Sequence, residues 1–234
     1  MKLYIVRHAD PDYDKNTITP AGHQEAQALA RRLAAEGLDR IYCSPVARAR
    51  DTMRHTAELA ELTPVIEDWT QEPWDWRGTQ PPWGELLIWD LPCEIIRRNE
   101  PMPTAENWHQ LPDLQDPLAR GKFEAVQKNS DAFIARHGYE RDGGRYRVVR
   151  PNRERIAVFC HGGFGLTWVA HLLAIPLTLM WSSFWLAPTS VTTVLFDERS
   201  SDWAVPRCLG LGDVSHLYES RLPVRPRGIL ANYV

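Results

Sequence analysis

Short apolar runs alternate along this chain with longer amphipathic stretches. Leu3-Tyr4-Ile5-Val6 is a continuous apolar run with two β-branched members, the pattern of a strand buried on both faces in a parallel sheet. Asp39–Cys43 and Ile156–Cys160 repeat that pattern, and Pro64–Glu67 predicts a shorter strand between them. Between Thr19-Pro20 and Gly37, the residues Ala26, Leu29, Ala30 and Leu33 fall at helical spacing, with a cap and a proline at one end and a glycine stop at the other. Ser44-Pro45 repeats the cap-plus-proline start for a helix carrying Val46, Ala49, Met53, Ala57 and Ala60 on its buried stripe. A third helix, hydrophobic throughout, is expected from Phe164 through Leu173 up to Pro176. Further helices are expected at Pro117–His137, where Phe123, Val126, Phe133 and Ile134 turn inward, and as one short piece within Glu85–Arg98. Tyr139–Val149 reads as a hairpin turning at Asp142-Gly143-Gly144, and Val191–Phe196 and Trp203–Leu209 as closing strands. The segment after His8 reads as a loop, and the last dozen residues as an irregular tail.

At 234 residues one sizeable α/β domain is expected, residues 1–234, with an insert at about 79–150. The net charge of −3 gives no support to nucleic-acid or membrane-surface binding, so an anion site must come from a local concentration of positive groups. Cys43, Cys93, Cys160 and Cys208 form no CxxC pair, which suits a reduced, cytoplasmic protein. The chain enters a strand at once, without a basic-then-apolar leader, and no apolar run approaches membrane-spanning length.

Three strand ends carry chemistry. The first apolar run leads into Arg7-His8, a guanidinium able to hold two phosphate oxygens beside an imidazole able to attack phosphorus or move a proton. Ligands of open α/β sheets bind beyond the carboxyl ends of the strands, where this pair falls. Arg48 stands one turn into the helix that follows the second strand, where the helix amino end already favours an anion. By itself it reads as a solvated charge, as do Arg50 and Arg54; its place after a strand end changes that. The run ending at Cys160 leads into His161-Gly162-Gly163, where glycines let backbone N–H groups approach a ligand.

Arg7-His8-Ala9, Thr19-Pro20-Ala21-Gly22, Ser44-Pro45-Val46-Ala47-Arg48-Ala49 and Val158-Phe159-Cys160-His161-Gly162-Gly163, in that order, resemble the histidine phosphatase superfamily, also called phosphoglycerate-mutase-like. Thr189-Ser190-Val191 and Val214-Ser215-His216-Leu217 are weaker echoes, and Ala9 stands where the family has glycine. The resemblance implies a three-layer α/β/α sandwich with a mostly parallel central sheet, and a two-step reaction through a phosphohistidine. It assigns His8 as nucleophile and Arg7, Arg48 and His161 as holding the phosphoryl oxygens; His161 is thus expected to be catalytic as well as phosphate-binding, and Gly162 to bind phosphate beside it. Two arginines and a second imidazole would stabilise a phosphoryl group in flight, so no metal or other cofactor is expected. Neutral His8 should donate its other ring nitrogen to a backbone carbonyl.

The family's proton donor precedes a Trp-acid-Gly landmark, here Trp76-Arg77-Gly78, and counting back without a gap lands on Thr70. Glu72 is the preferred acid, ahead of Asp75 and Glu67, and would need a two-residue contraction. Beside Pro73 and several tryptophans, it could be desolvated enough to hold a proton. The expected function is a phosphomonoesterase acting on a small organic phosphate ester. The alternatives are a mutase-type phosphotransferase, whose Ser-x-Trp-Asn pattern after the histidine is missing, and a non-catalytic phospholigand-binding module. Of ten tryptophans, five lie between Trp69 and Trp89, and Trp74 or Trp76 is expected to border the pocket mouth. Oligomeric state has no signature in the chain.

Overall fold

In the computed structural model, residues 1–72, 77–80, 84–114 and 118–229 are described. Trp74, Asp75, Trp76 and Trp83 lie outside them. The main sheet contains β1 (Lys2–Arg7), β2 (Arg40–Cys43), β3 (Val65–Ile66), β4 (Tyr139–Asp142), β5 (Arg145–Val148), β6 (Arg155–Cys160), β7 (Val191–Asp197) and β8 (Trp203–Asp213). Their spatial order is β3-β2-β6-β1-β7-β8-β5-β4. The pairs from β3 to β1 are parallel, and β7, β8, β5 and β4 extend the sheet antiparallel from there.

Alternation along β1 builds the layers. Leu3 and Ile5 pack with α4 (Ala119–Arg136), α5 (Gly162–Leu173) and α6 (Leu177–Ser183) in one core. Tyr4 and Val6 face the opposite core with Leu29 and Leu33 of α1 (Pro20–Glu36) and Ala49 and Met53 of α2 (Ala47–Ala60). Strand side chains point alternately to the two faces, so one apolar run seeds both layers of an α/β/α sandwich.

The parallel register decides where the chemistry falls. Arg7 pairs with Cys160 and Phe159 with Cys43, so β1, β6 and β2 end at one level. The ladder then runs one step further, with His8 N–H donating to Cys160 O at 3.0 Å and Ser44 N–H to Phe159 O at 2.9 Å. His8, His161 and Ser44 therefore emerge side by side.

Several elements differ from expectation at their ends. Helix α2 starts at Ala47, and its N-cap Val46 makes no side-chain bond; Ser44 is used elsewhere, as shown below. Within Glu85–Arg98, residues Gly84–Leu87 pair with Arg77–Gln80 in a small hairpin, and only α3 (Cys93–Arg97) is helical. Pro92 sets that start, since proline restricts the residue before it and cannot donate within a helix. Strand β8 runs on to Asp213, and α7 (Ser215–Glu219) follows it. The tryptophans described in and around the insert behave mainly as core: Trp108 packs on Phe123 and Trp181, and Trp69 on Phe164 and Trp168. Among the described residues, no helix is long and apolar enough to cross a membrane.

Candidate active site

At the shared strand end, the His8 and His161 rings meet edge to face with centroids 5.3 Å apart. His8 Nδ1 lies 2.7 Å from Ala9 O, and Arg48 Nε–H donates to His8 Nε2 at 3.1 Å. Nδ1–H donates to this carbonyl, which leaves the Nε2 lone pair facing the guanidinium. Burial, with Arg7 and Arg48 close by, holds His8 well below the usual histidine range, and burial does the same to His161. Both rings are therefore neutral at physiological pH.

Arg7 is buried, and its Nη1 donates to the Leu186 carbonyl and, at 3.3 Å, to the Arg227 carbonyl. Its Nε, like His161 Nδ1, is buried without a hydrogen-bond partner among the described residues. Buried polar groups are normally satisfied, so two orphaned nitrogens beside a neutral histidine mark a place for an oxyanion. Ser44 Oγ stands 2.9 Å from His161 Nε2 and accepts from Val46 N–H at 3.4 Å. A Ser44 hydroxyl that donates to Nε2 leaves the imidazole proton on Nδ1, the orphaned nitrogen, where it can be given to an oxyanion.

Glu72 lines the same cavity as Arg7, His8 and Arg48. Its Oε1 accepts from Phe164 N–H at 2.7 Å, in the first turn of α5. Burial pushes its carboxyl up to about 7, although the Phe164 N–H, Arg7 and Arg48 all pull the other way. Desolvation wins because the Trp89 ring lies against the same spot: a Cβ on Gly163 would collide with both Glu72 Oε1 and Trp89. At Gly162 a Cβ would sit 3.3 Å from Arg7 Nε, so both glycines make room for charged side chains at the helix start.

Glu67, the third choice of acid, is already used: Oε1 pairs with Arg136 at 2.6 Å and Oε2 accepts from Trp69 Nε1 at 2.9 Å. Thr70, where ungapped counting lands, is buried and donates to Glu67 O at 2.7 Å. Asp75 lies outside the described residues. Ala9 is buried with Ile18 and Ala26, so its methyl fits an apolar niche. The two weaker echoes meet: His216 Nε2 is 3.0 Å from Thr189 Oγ1, and Thr189 N–H donates to the His8 carbonyl at 3.2 Å. Among the described residues, no three His, Cys, Asp or Glu side chains come together as a metal-ligand set.

Sequence reasoning missed three parts of the site. Ser44 looked like a helix cap. The aromatic residues Trp89, Trp181 and Trp185, which line the cavity, come from segments far apart in the chain. Arg227 also lines it, from the stretch read as an irregular tail; its Nε donates to buried Asp10 at 2.5 Å, while Arg225 pairs with Glu25 at 3.4 Å.

The fold has counterparts among known proteins. The histidine phosphatase superfamily (branch 1) matches residues 3–207, and the chain belongs to that family. A probable phosphatase of Schizosaccharomyces pombe is 31% identical over 75 residues, 28% of this chain and 36% of that protein. A putative phosphoserine phosphatase 2 of Hydrogenobacter thermophilus is 31% identical over 80 residues, 30% of this chain and 39% of that protein. The chain thus matches little more than a third of the length of these curated relatives. Among solved structures, a phosphoserine phosphatase mutant from Entamoeba histolytica in complex with phosphoserine has a TM-score of 0.61 at 18% identity, covering 92% of this chain and 98% of that one. The native mycobacterial glucosyl-3-phosphoglycerate phosphatase has a TM-score of 0.57 at 17% identity, covering 90% and 98%. At these identities the likeness speaks for the fold.

Proposed function

We propose that this protein is a phosphomonoesterase that hydrolyses a small organic phosphate ester through a phosphohistidine on His8. The observation that carries the reading is the neutral His8 whose Nδ1–H donates to Ala9 O, leaving Nε2 as the attacking atom among Arg7, Arg48 and His161. In the first step Nε2 bonds to phosphorus and the ester oxygen leaves with the proton of Glu72. Oε1 of Glu72 is held by Phe164 N–H, so Oε2 carries that proton. In the second step the Glu72 carboxylate takes a proton from water, which attacks phosphorus and frees His8. Arg7, Arg48, the Nδ1–H of His161 and the backbone at Gly162 hold the phosphoryl oxygens as charge spreads over them. Metal is not assigned a part, because these side chains supply the positive charge. Glu72 at the cavity wall favours a catalyst over a phospholigand-binding module, which would need no acid there.

The test is a panel of phosphate esters assayed with EDTA present, run on the wild type and on His8→Ala. Turnover by the wild type alone, with an acid-labile, alkali-stable phosphoenzyme on quenching, is the expected result. Comparable turnover by folded His8→Ala would overturn it, and transfer to an added phosphate acceptor in place of water would favour the mutase alternative.

A further inference from the structure

The cavity over His8 encloses about 420 Å³, which lies in the range of ordinary small-molecule sites and exceeds what a phosphoryl group alone would fill. Its two ends differ in chemistry. Arg7, His8, Arg48 and Glu72 form one end; Leu87, Trp89, Leu91, Leu166, Trp181 and Phe184 form much of the other. Trp185 and Leu186 continue that apolar wall.

Charge is sparse there. Among the described lining residues, the cation beyond the phosphate end is Arg227, and it is engaged by Asp10 through Nε at 2.5 Å and Nη2 at 3.4 Å. The remaining ionisable groups are the Tyr13 phenol, the Cys93 thiol and the Asp90 carboxylate, and Asp90 would repel an anionic substituent. Ser182 supplies an uncharged polar group: its Oγ is buried, lines the wall and has no hydrogen-bond partner among the described residues. A carboxylate on the substrate would lose its hydration against indole and leucine surface and gain no cation in return. A flat apolar group would instead bury its faces against tryptophan rings.

We infer that the preferred substrates are monophosphate esters of uncharged, aromatic or otherwise apolar alcohols, and that esters bearing a carboxylate, such as phosphoserine or phosphoglycerate, are poor ones. This inference rests on the phosphomonoesterase reading. It is distinct from it, since it concerns the leaving group's recognition and not the chemistry at phosphorus.

The comparison must match leaving groups, so 2-naphthylmethyl phosphate is set against O-phosphoserine, 3-phosphoglycerate and methyl phosphate, all esters of alkyl alcohols. The naphthylmethyl ester should show kcat/KM at least tenfold above each of the others. Phe184 is 42% exposed, so Phe184→Ala keeps the fold and should raise KM several-fold more for the naphthylmethyl ester than for methyl phosphate, and equal rises would overturn the inference. Equal or better kcat/KM for phosphoserine or 3-phosphoglycerate would overturn the inference while leaving the phosphatase reading intact. Should no ester be hydrolysed, that reading fails, and binding of non-hydrolysable phosphonates still decides this one. 2-Naphthylmethylphosphonate binding at least tenfold tighter than methylphosphonate supports it, and equal affinities overturn it.

Discussion

The two ends of the cavity are built in opposite ways. At the phosphate end Arg7, His8, Arg48 and His161 sit at strand ends or in a helix's first turn, Glu72 reaches in from the loop after Thr70, and backbone bonds fix three of them: His8 by Ala9 O and Cys160 O, Glu72 by Phe164 N–H, Arg7 by two carbonyls. The ester end is assembled from the insert, α5, α6 with the segment after it, and the strap 222–229, none of them a strand of the main sheet. The difference separates invariant demands from adjustable ones. A phosphoryl group in flight has one shape and one charge pattern, and it rewards donors held rigidly by the sheet. An organic group can be anything, so its wall can be made from segments that tolerate change.

The comparison breaks most cleanly at His8. His8→Ala should lower turnover by on the order of 10³-fold or more, the scale for removing a nucleophile, while circular dichroism and Tm stay near wild type. A folded variant within tenfold of wild type would take the phosphate end out of covalent chemistry. Next in size is Arg48→Ala, expected to cost about 2–4 kcal/mol of transition-state stabilisation, the range for one oxyanion donor. Arg7→Ala should lose as much activity and some stability too, because the carbonyls of Leu186 and Arg227 lose a buried donor. Steady-state kinetics with a loss well under tenfold would return either arginine to a structural role.

Glu72 comes third, and its effect depends on leaving group and pH. Glu72→Gln should slow the methyl ester far more than p-nitrophenyl phosphate, because nitrophenolate departs without a proton. The acid works protonated, and its carboxyl is raised to about 7, so kcat/KM for poor leaving groups should fall as pH rises through about 7. His8 lies well below the ordinary histidine range, so the nucleophile stays neutral across the same interval and adds no limb there. Equal losses on both esters, or an alkaline limb that survives in Glu72→Gln, would send the acid's role to Asp75.

How much of this the chain disclosed follows the same division. Arg7, His8 and His161 were legible because unbroken apolar runs end in them, and a strand's end is a local pattern. Arg48 needed only the added observation that its helix follows a strand. Glu72 could be reached by counting back from Trp76-Arg77-Gly78, but only with a two-residue contraction. Ser44 was misread because Ser-Pro before a helix usually caps it, and its pairing with His161 crosses from β2 to β6. The ester wall was hidden for a physical reason: Trp89, Trp181 and Trp185 share a surface only after the insert has folded back on α5 and α6. The strap has no periodicity at all, because its contribution is carried by two arginines and a carbonyl oxygen.

The strap also touches both ends, which makes it the finest test of the division. Arg227 holds buried Asp10 through its side chain and gives its carbonyl to Arg7 Nη1 and, at 2.9 Å, to Trp185 Nε1. Arg227→Ala removes the side chain and keeps the carbonyl, so it loosens the strap without deleting the contact. Arg225 stays 3.8 Å from Asp10 and partly neutralises it, Thr19 still donates to it, and the Arg227 end of the lost pair is half-exposed, so the cost should be about 1 kcal/mol. Inhibition by inorganic phosphate should weaken only as far as the loosened strap displaces Arg7, by at most about fivefold, the equivalent of that whole figure. Arg227→Lys should recover part of it, and high salt should shrink the gap between wild type and Arg227→Ala, since the pair is accessible to ions. If the strap acts through Arg7, the rise in KM will be the same for methyl phosphate and 2-naphthylmethyl phosphate. A rise confined to the naphthylmethyl ester would place the strap wholly in the ester wall, and the phosphate end would then owe the strap nothing.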